Sequence, residues 1–326
     1  MTATRWGIIG CGDVTEVKSG PAFAKVEGSA LVAVMRRTAH LAEDYARRHG
    51  VPRWYADAES LVADPEVNAV YVGTPPDSHR DHVLLAAQYR KPVYVEKPMA
   101  LDHRQCLDMI EACHAADVPL FTAYYRRALP RFLRVKALVD EGAIGDVRAV
   151  TITLYRRHAI GSGDLPWRVD PAVSGGGLFV DLASHTLDLL DYVLGPIASA
   201  TGGAANQGGF YGAEDIVSAA FAFESGVSGT GLWCFTADRN EDCVEVIGSA
   251  GRITFSTFEE APVTVARDGV VESFEIAHPP HVQQPLIQSI VDALQGRGTC
   301  PSTGESGART TRVMDTLLAP YYAGRG

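Results

Sequence analysis

The sequence predicts an α/β fold, a doubly wound parallel sheet at the N-terminus followed by a second α/β domain on a large, mostly antiparallel sheet. Two observations carry this. Over about the first 120 residues, apolar strand-like runs alternate with helical stretches, as in βαβ units whose sheet is covered on both faces. Beyond about Tyr124 the strand-like runs come in pairs joined by short turns, which read as hairpins of an antiparallel sheet. A length of 326 residues accommodates two domains with a core each. The expected division is 1–123 and 124–326, with the last helix a candidate to pack back on the first domain.

The elements follow in order. Arg5–Ile9 is the first apolar run and ends in Gly10. Leu31–Met35 is the second, and Ala69–Gly73 the third, stopped by Thr74-Pro75-Pro76. Pro92–Val95 runs into Glu96-Lys97-Pro98, and Pro119–Ala123 is the fifth. Helices are expected over Ala39–His49, Ala58–Ala63, His79–Gln88 and Asp102–Ala116 between these runs, and over Arg131–Glu141 after them. Asp146–Arg156 then reads as a strand. Three hairpins follow: Ile216–Phe223 with Gly226–Phe235, Val244–Ile247 with Arg252–Phe258, and Pro262–Ala266 with Val270–Ile276. Gly202-Gly203 and Gly208-Gly209 are expected to bracket a loop, and Phe258-Glu259-Glu260 to end a strand facing water.

Composition narrows the function. Formal net charge is −10 and no Lys/Arg-rich run stands out, so nucleic acid, whose phosphates demand cations, is not an expected partner. No stretch approaches the roughly 20 apolar residues of a membrane span, and the first apolar run is too short for a signal peptide. Six dispersed cysteines without a CxxC or a clustered His read as reduced thiols, Cys106 and Cys113 as core thiols of one helix face. No metal site is expected, and the cytoplasm is the expected location.

Gly10-Cys11-Gly12 directly follows the first strand, with Asp13 and Val14 opening a helix. Glycine there permits a tight turn and close approach to a pyrophosphate, and the helix N-terminus offers free N–H groups. Thr15 stands where the fingerprint's third glycine would be. The second strand ends in Arg36-Arg37-Thr38, where NAD enzymes usually place an acid for the ribose 2′-hydroxyl. Two guanidiniums suit a 2′-phosphate instead, so NADP(H) is favoured and NAD(H) remains an alternative. The other reading is two solvated arginines. Thr74 and Pro75 end the third strand at the same edge of the sheet.

Glu96-Lys97-Pro98 ends a parallel strand and so faces the same crevice, where Lys97 could donate to a substrate oxygen. Far downstream lies GGGLFVDLASHTLD, residues 175–188. A helix beginning near Asp181 would put Asp181 and His185 on one face, where a carboxylate can orient an imidazole. Alternatively Asp181 caps that helix and His185 is structural.

Together these segments resemble the glucose–fructose oxidoreductase, inositol dehydrogenase and MocA (Gfo/Idh/MocA) family over nearly the whole chain. The markers, in order, are GCGDVT at 10–15, TPPDSH at 74–79, EKP at 96–98, YRRALPRF at 125–132, PWR at 166–168 and the 175–188 segment. The resemblance implies a Rossmann domain for dinucleotide binding, joined to an α/β domain for substrate binding and oligomerisation. It also implies hydride transfer between NAD(P) and a secondary alcohol or carbonyl of a sugar, keto-sugar or polyol. Lys97, Asp181 and His185 would be the catalytic group. Trp167 and Arg168 would reach toward cofactor and substrate, with His79 and Glu96 beside the cofactor. Tyr125 would contact substrate from a place often held by Asn. A dihydrodiol-type dehydrogenase and a non-catalytic NADP-sensing regulator resemble the same pattern. Tyr124, Tyr125, Trp167 and Phe179 would line either a sugar or an aromatic pocket. A homodimer or homotetramer is expected from a sheet with one open face.

Overall fold

The computed structural model describes residues 3–158 and 165–324. The chain divides into two compact units, with boundaries after Leu129, His278 and Ala308. The first unit holds six parallel strands: β1 (Thr4–Ile9), β2 (Ser29–Met35), β3 (Arg53–Tyr55), β4 (Ala69–Val72), β5 (Val93–Val95) and β6 (Leu120–Thr122). Their order is β3-β2-β1-β4-β5-β6. Between them run α1 (Asp13–Val17), α2 (Gly20–Lys25), α3 (Ala39–His49), α4 (Ala58–Ala63), α5 (His79–Gln88) and α6 (His103–Ala115). The order reverses between β1 and β4, and ligands of such sheets bind in the crevice beyond the carboxyl ends of the strands at that point.

Strand alternation explains the two faces of this sheet. Val70 and Val72 of β4 and Val93 and Val95 of β5 join Ile9, Val83 and Met109 in one buried cluster. Tyr71 and Tyr94 point the other way, are paired in register, and lie with tilted rings 5.0 Å apart beside Phe23 and Trp6. Strand β3 has no counterpart among the expected runs. It is three residues long, follows Pro52, and pairs only at the edge of β2, so it leaves almost no periodic signal.

The second unit is built on eight strands: β7 (Val147–Arg157), β8 (Ile197–Ala205), β9 (Ile216–Phe223), β10 (Ser228–Ala237), β11 (Glu241–Gly248), β12 (Arg252–Phe255), β13 (Val263–Arg267) and β14 (Val270–Phe274). Their order is β14-β13-β12-β11-β7-β10-β9-β8, antiparallel except between β7 and β10. Helix α7 (Pro130–Asp140) precedes them, and α8 (Pro171–Ser174) and α9 (Leu178–Leu194) lie between β7 and β8. Val150, Ile152 and Leu154 of β7 and Trp233 and Phe235 of β10 are buried, and Phe179 of α9 meets Trp233 edge-on at 5.1 Å. Thr151, Ser218 and Thr230 stand exposed on the opposite face. Asp268 and Gly269 both take positive φ between β13 and β14, the geometry of a two-residue hairpin turn. Helix α10 (Gln284–Leu294) then returns the chain to the first unit, and α11 (Gly304–Ala323) crosses the last boundary.

Two expectations fail here. Gly202-Gly203 is not part of a loop but lies inside β8. A Cβ on Gly202 would sit 2.1 Å from the Ser218 carbonyl oxygen, so glycine here serves close strand approach rather than a turn. Strand β12 stops at Phe255, short of Phe258. The Asp242 carboxylate accepts from the backbone N–H groups of Thr257 (3.2 Å), Phe258 (2.6 Å) and Glu259 (3.2 Å), and so folds 256–259 into a turn.

Candidate active site

In the first unit the crevice opens at the ends of β1 and β4. Gly10 has φ +89°, and a Cβ there would lie 2.6 Å from Thr74 Cγ2, so no larger residue fits. Gly12 is the N-cap of α1, and its Cβ position meets nothing within 4 Å. That open path along the start of α1 (exposed Asp13, half-buried Val14) fits a pyrophosphate approaching the backbone. Thr15 is buried, and its hydroxyl donates to the Gly12 carbonyl at 2.7 Å, tying the turn from below. Gly20 and Tyr45 went unnoticed in the sequence. The Tyr45 hydroxyl donates to the Thr15 carbonyl at 2.8 Å, and a Cβ on Gly20 would meet both groups.

Arg36 and Arg37 are exposed at the end of β2. Among the described residues neither side chain forms a salt bridge or a hydrogen bond, so both guanidiniums are available to an anion. Burial pushes the Cys11 thiol up to about 11, and the nearby Arg36 charge pulls against that rise. Burial likewise holds the His82 imidazole down, with the Arg37 charge acting the same way.

Thr74 and Pro75 shape the loop after β4, where Ser78 Oγ donates to Thr74 Oγ1 at 2.9 Å. His79 is wholly buried and works as a brace between loops. Its Nε2 lies 2.7 Å from the Thr74 carbonyl, and its Nδ1 lies 3.1 and 3.2 Å from the carbonyls of Pro98 and Met99. Burial lowers its pKa, against the pull of those carbonyls.

Lys97 is half-buried after β5, and its bond to Pro98 is cis. Glu96 turns inward: its Oε1 accepts from the Tyr71 hydroxyl (2.7 Å) and Gln283 Nε2 (2.6 Å), and its Oε2 accepts from the Lys97 backbone N–H (3.0 Å). Tyr125 follows β6, with the Arg126 guanidinium 5.1 Å from its ring centre.

In the second unit, Gly175-Gly176-Gly177 delivers α9. Gly175 takes φ +81° as the C-cap of α8, and a Cβ on Gly177 would clash with the Glu214 carbonyl oxygen at 2.6 Å. Glu214 is fully buried, accepts from the Gly177 N–H (2.8 Å) and the Tyr322 hydroxyl (2.6 Å), and has its pKa raised by burial. The helix starts at Leu178, so Gly177 is the cap and Asp181 already lies within the first turn. Asp181 and His185 therefore share a face, one turn apart. Asp181 Oδ2 pairs with Arg168 Nε at 3.3 Å, and the Arg168 guanidinium lies 4.5 Å from the centre of the Trp167 ring. Trp167, Arg168 and Asp181 thus form one contiguous group.

His185 is only 4% exposed, and its ring meets Phe258 edge-on at 5.9 Å. Arg156 covers Phe258 at 5.7 Å and pairs with Glu259 at 3.2 Å. Phe258, expected at a wet strand end, is instead a wall beside His185. Phe179, expected to line a pocket, is fully buried in the core. Tyr124 is fully buried as well. Among the described residues no group of three or more His, Cys, Asp or Glu could hold a metal ion, and no helix is long and apolar enough to cross a membrane.

Comparison with known proteins agrees with this layout. The profile described as "Oxidoreductase family, NAD-binding Rossmann fold" matches residues 4–124, and the "GFO/IDH/MocA C-terminal domain" matches residues 132–254. Oxidoreductase P35 of Formosa agariphila is 39% identical over 315 residues, covering 96% of this chain and 97% of the relative. The 1,5-anhydro-D-fructose reductase of Ensifer adhaerens is 28% identical over 308 residues, covering 93% and 92%. The solved aldose-aldose oxidoreductase of Caulobacter crescentus, complexed with glycerol, superposes with a TM-score of 0.87 at 25% identity, covering 99% and 98%.

Proposed function

The chain belongs to the Gfo/Idh/MocA oxidoreductases, and from that premise we propose that it moves hydride between NADP(H) and a secondary alcohol or carbonyl carbon of a sugar, keto-sugar or polyol. The observation that carries this is the sheet edge of the first unit. A glycine turn with room for a pyrophosphate follows β1, two arginines whose side chains are unpaired among the described residues follow β2, and Lys97 follows β5. In this reading 1–123 binds cofactor, and 124–326 binds substrate and joins subunits. The exposed small polar face of the second sheet supports a homodimer or homotetramer. The six cysteines, all free, support a reducing cytoplasm.

The bound nicotinamide supplies the hydride chemistry. Arg36 and Arg37 grip the 2′-phosphate and so select NADP(H). Lys97 donates a hydrogen bond to the reacting oxygen and steadies the negative charge developing there. His185 takes the hydroxyl proton during oxidation and returns it during reduction. Asp181, one turn earlier on α9, orients that imidazole, and Trp167 and Arg168 fix Asp181 and the cofactor side of the site. Proton transfer of this kind contributes about 10²–10⁴-fold. Lys97→Ala and His185→Ala should each lose turnover on that scale while NADP(H) titrations stay within a few-fold of wild type. Near-normal turnover in both variants would overturn the assignment.

A further inference from the structure

We propose that Gln283 is a positioning residue for Lys97, acting through the carboxylate of Glu96. The inference rests on Lys97 touching the reacting oxygen, as assigned above. It begins with β4 and β5, whose alternation places Tyr71 and Tyr94 side by side and fully buried on one face of the sheet. Burial, reinforced by the Glu96 charge, raises both phenols far above their ordinary range, so both hydroxyls keep their protons.

A carboxylate offers only acceptors, which fixes every direction in the cluster. The Gln283 amide must turn its NH2 to Glu96 Oε1 (2.6 Å), and its oxygen then accepts from the Tyr94 hydroxyl (2.8 Å). Tyr71 supplies the second donor to Oε1 (2.7 Å). The remaining oxygen, Oε2, takes the backbone N–H of Lys97 itself (3.0 Å). The residue that completes the cluster comes from the other end of the chain. Gln283 is the N-cap residue of α10 and only 1% exposed. Two residues earlier, His281 Nδ1 donates to the Val17 carbonyl at 2.7 Å and ties this segment to the end of α1.

Removing the Gln283 amide leaves Glu96 one donor short in a buried place. The carboxylate then turns toward other donors, and the main chain at Lys97 loses its anchor. Misplacement of a catalytic group by about 1 Å costs on the order of 10²-fold. Gln283→Glu tests the same hydrogen bond differently. Two facing carboxylates must share a proton, so the donor to Glu96 survives at acid pH and is lost as pH rises.

The protein contains five lysines (18, 25, 91, 97 and 136), so ¹⁵N-lysine labelling gives a sparse amide spectrum in which Lys97→Ala identifies the Lys97 signal. Without cofactor, Gln283→Leu should shift the Lys97 amide and leave that of Lys136 in place. With the sugar or polyol that the wild type turns over best, its kcat should fall 10- to 100-fold, with KM and NADPH affinity within about threefold. The ratio of Gln283→Glu kcat to wild-type kcat, which cancels the pH dependence that His185 gives both proteins, should rise toward acid pH and fall as pH rises; this variant carries the test if the leucine variant does not fold. An unmoved Lys97 amide and wild-type kcat in Gln283→Leu would overturn the positioning role, provided Lys97→Ala is inactive. Wild-type turnover in Lys97→Ala would instead overturn the assignment of Lys97 on which the inference rests.

Discussion

Replacing Arg36 and Arg37 by alanine, singly and together, tests the proposed selection of NADP(H) over NAD(H). Neither side chain has a partner among the described residues, so their removal breaks no internal pair. Exposed substitutions of this kind usually shift stability by less than about 0.5 kcal/mol. Hydrogen bonds to charged groups contribute about 1.5–3 kcal/mol. Both arginines are exposed, so the lower end applies. Each should therefore cost about 1.5 kcal/mol of NADPH binding, roughly tenfold in Kd, and the pair about 100-fold. NADH lacks the phosphate and should lose less than about threefold. Fluorescence titration of both cofactors at one fixed ionic strength measures this, since salt screens exposed charges. Equal losses for NADPH and NADH, or unchanged NADPH affinity in the double variant, would overturn the assignment of the two arginines to the 2′-phosphate.

Further predictions come from the same unit. Gly10→Ala forces a side chain onto φ +89° and against Thr74, at about 1–2 kcal/mol for the backbone and 1–3 for the clash; urea denaturation should report about 2–5 kcal/mol of lost stability. Gly12→Ala meets open space, so stability should hold within about 1 kcal/mol while NADPH affinity falls; lost stability without lost affinity would contradict the crevice. Glu16 is held down to about 2 by hydrogen bonds first from Arg48 and then from His49. A depressed carboxylate adds stability above its unfolded pKa and loses it as pH falls. Glu16→Gln should therefore flatten the decline in Tm from about pH 4.5 down to about 2, by a small amount because the group is largely solvated.

Local signals made most of the first unit legible, though α2, β3 and α10 had no counterpart in the sequence pattern. The bounds of α3, α4 and α5 coincide with their sequence patterns because sharp stops mark several ends: Asp57 caps α4 by accepting from Ser60 N–H, and Gly50 closes α3 in the left-handed region. Gly10, Lys97, Asp181 and His185 were visible because each follows a strand or sits within a patterned helix. Their supports were not. Gln283 lies 187 residues from Glu96 and Glu214 37 residues from Gly177, and a lone polar residue in a loop carries no sign of what it will touch. Gly202 shows the same blindness in reverse: glycine signals both a turn and close strand approach, and only the neighbouring strand decides between them.

Direct hydride transfer is tested by presenting the protein with NADPH deuterated at C4 of the nicotinamide and a panel of keto-sugars and aldoses, and finding the label by mass spectrometry. One deuterium should appear on the former carbonyl carbon of at least one product, with matching loss of nicotinamide absorbance, and both should proceed at least about 100-fold more slowly in Lys97→Ala. Cofactor that binds but keeps its redox state against every carbohydrate offered would contradict it.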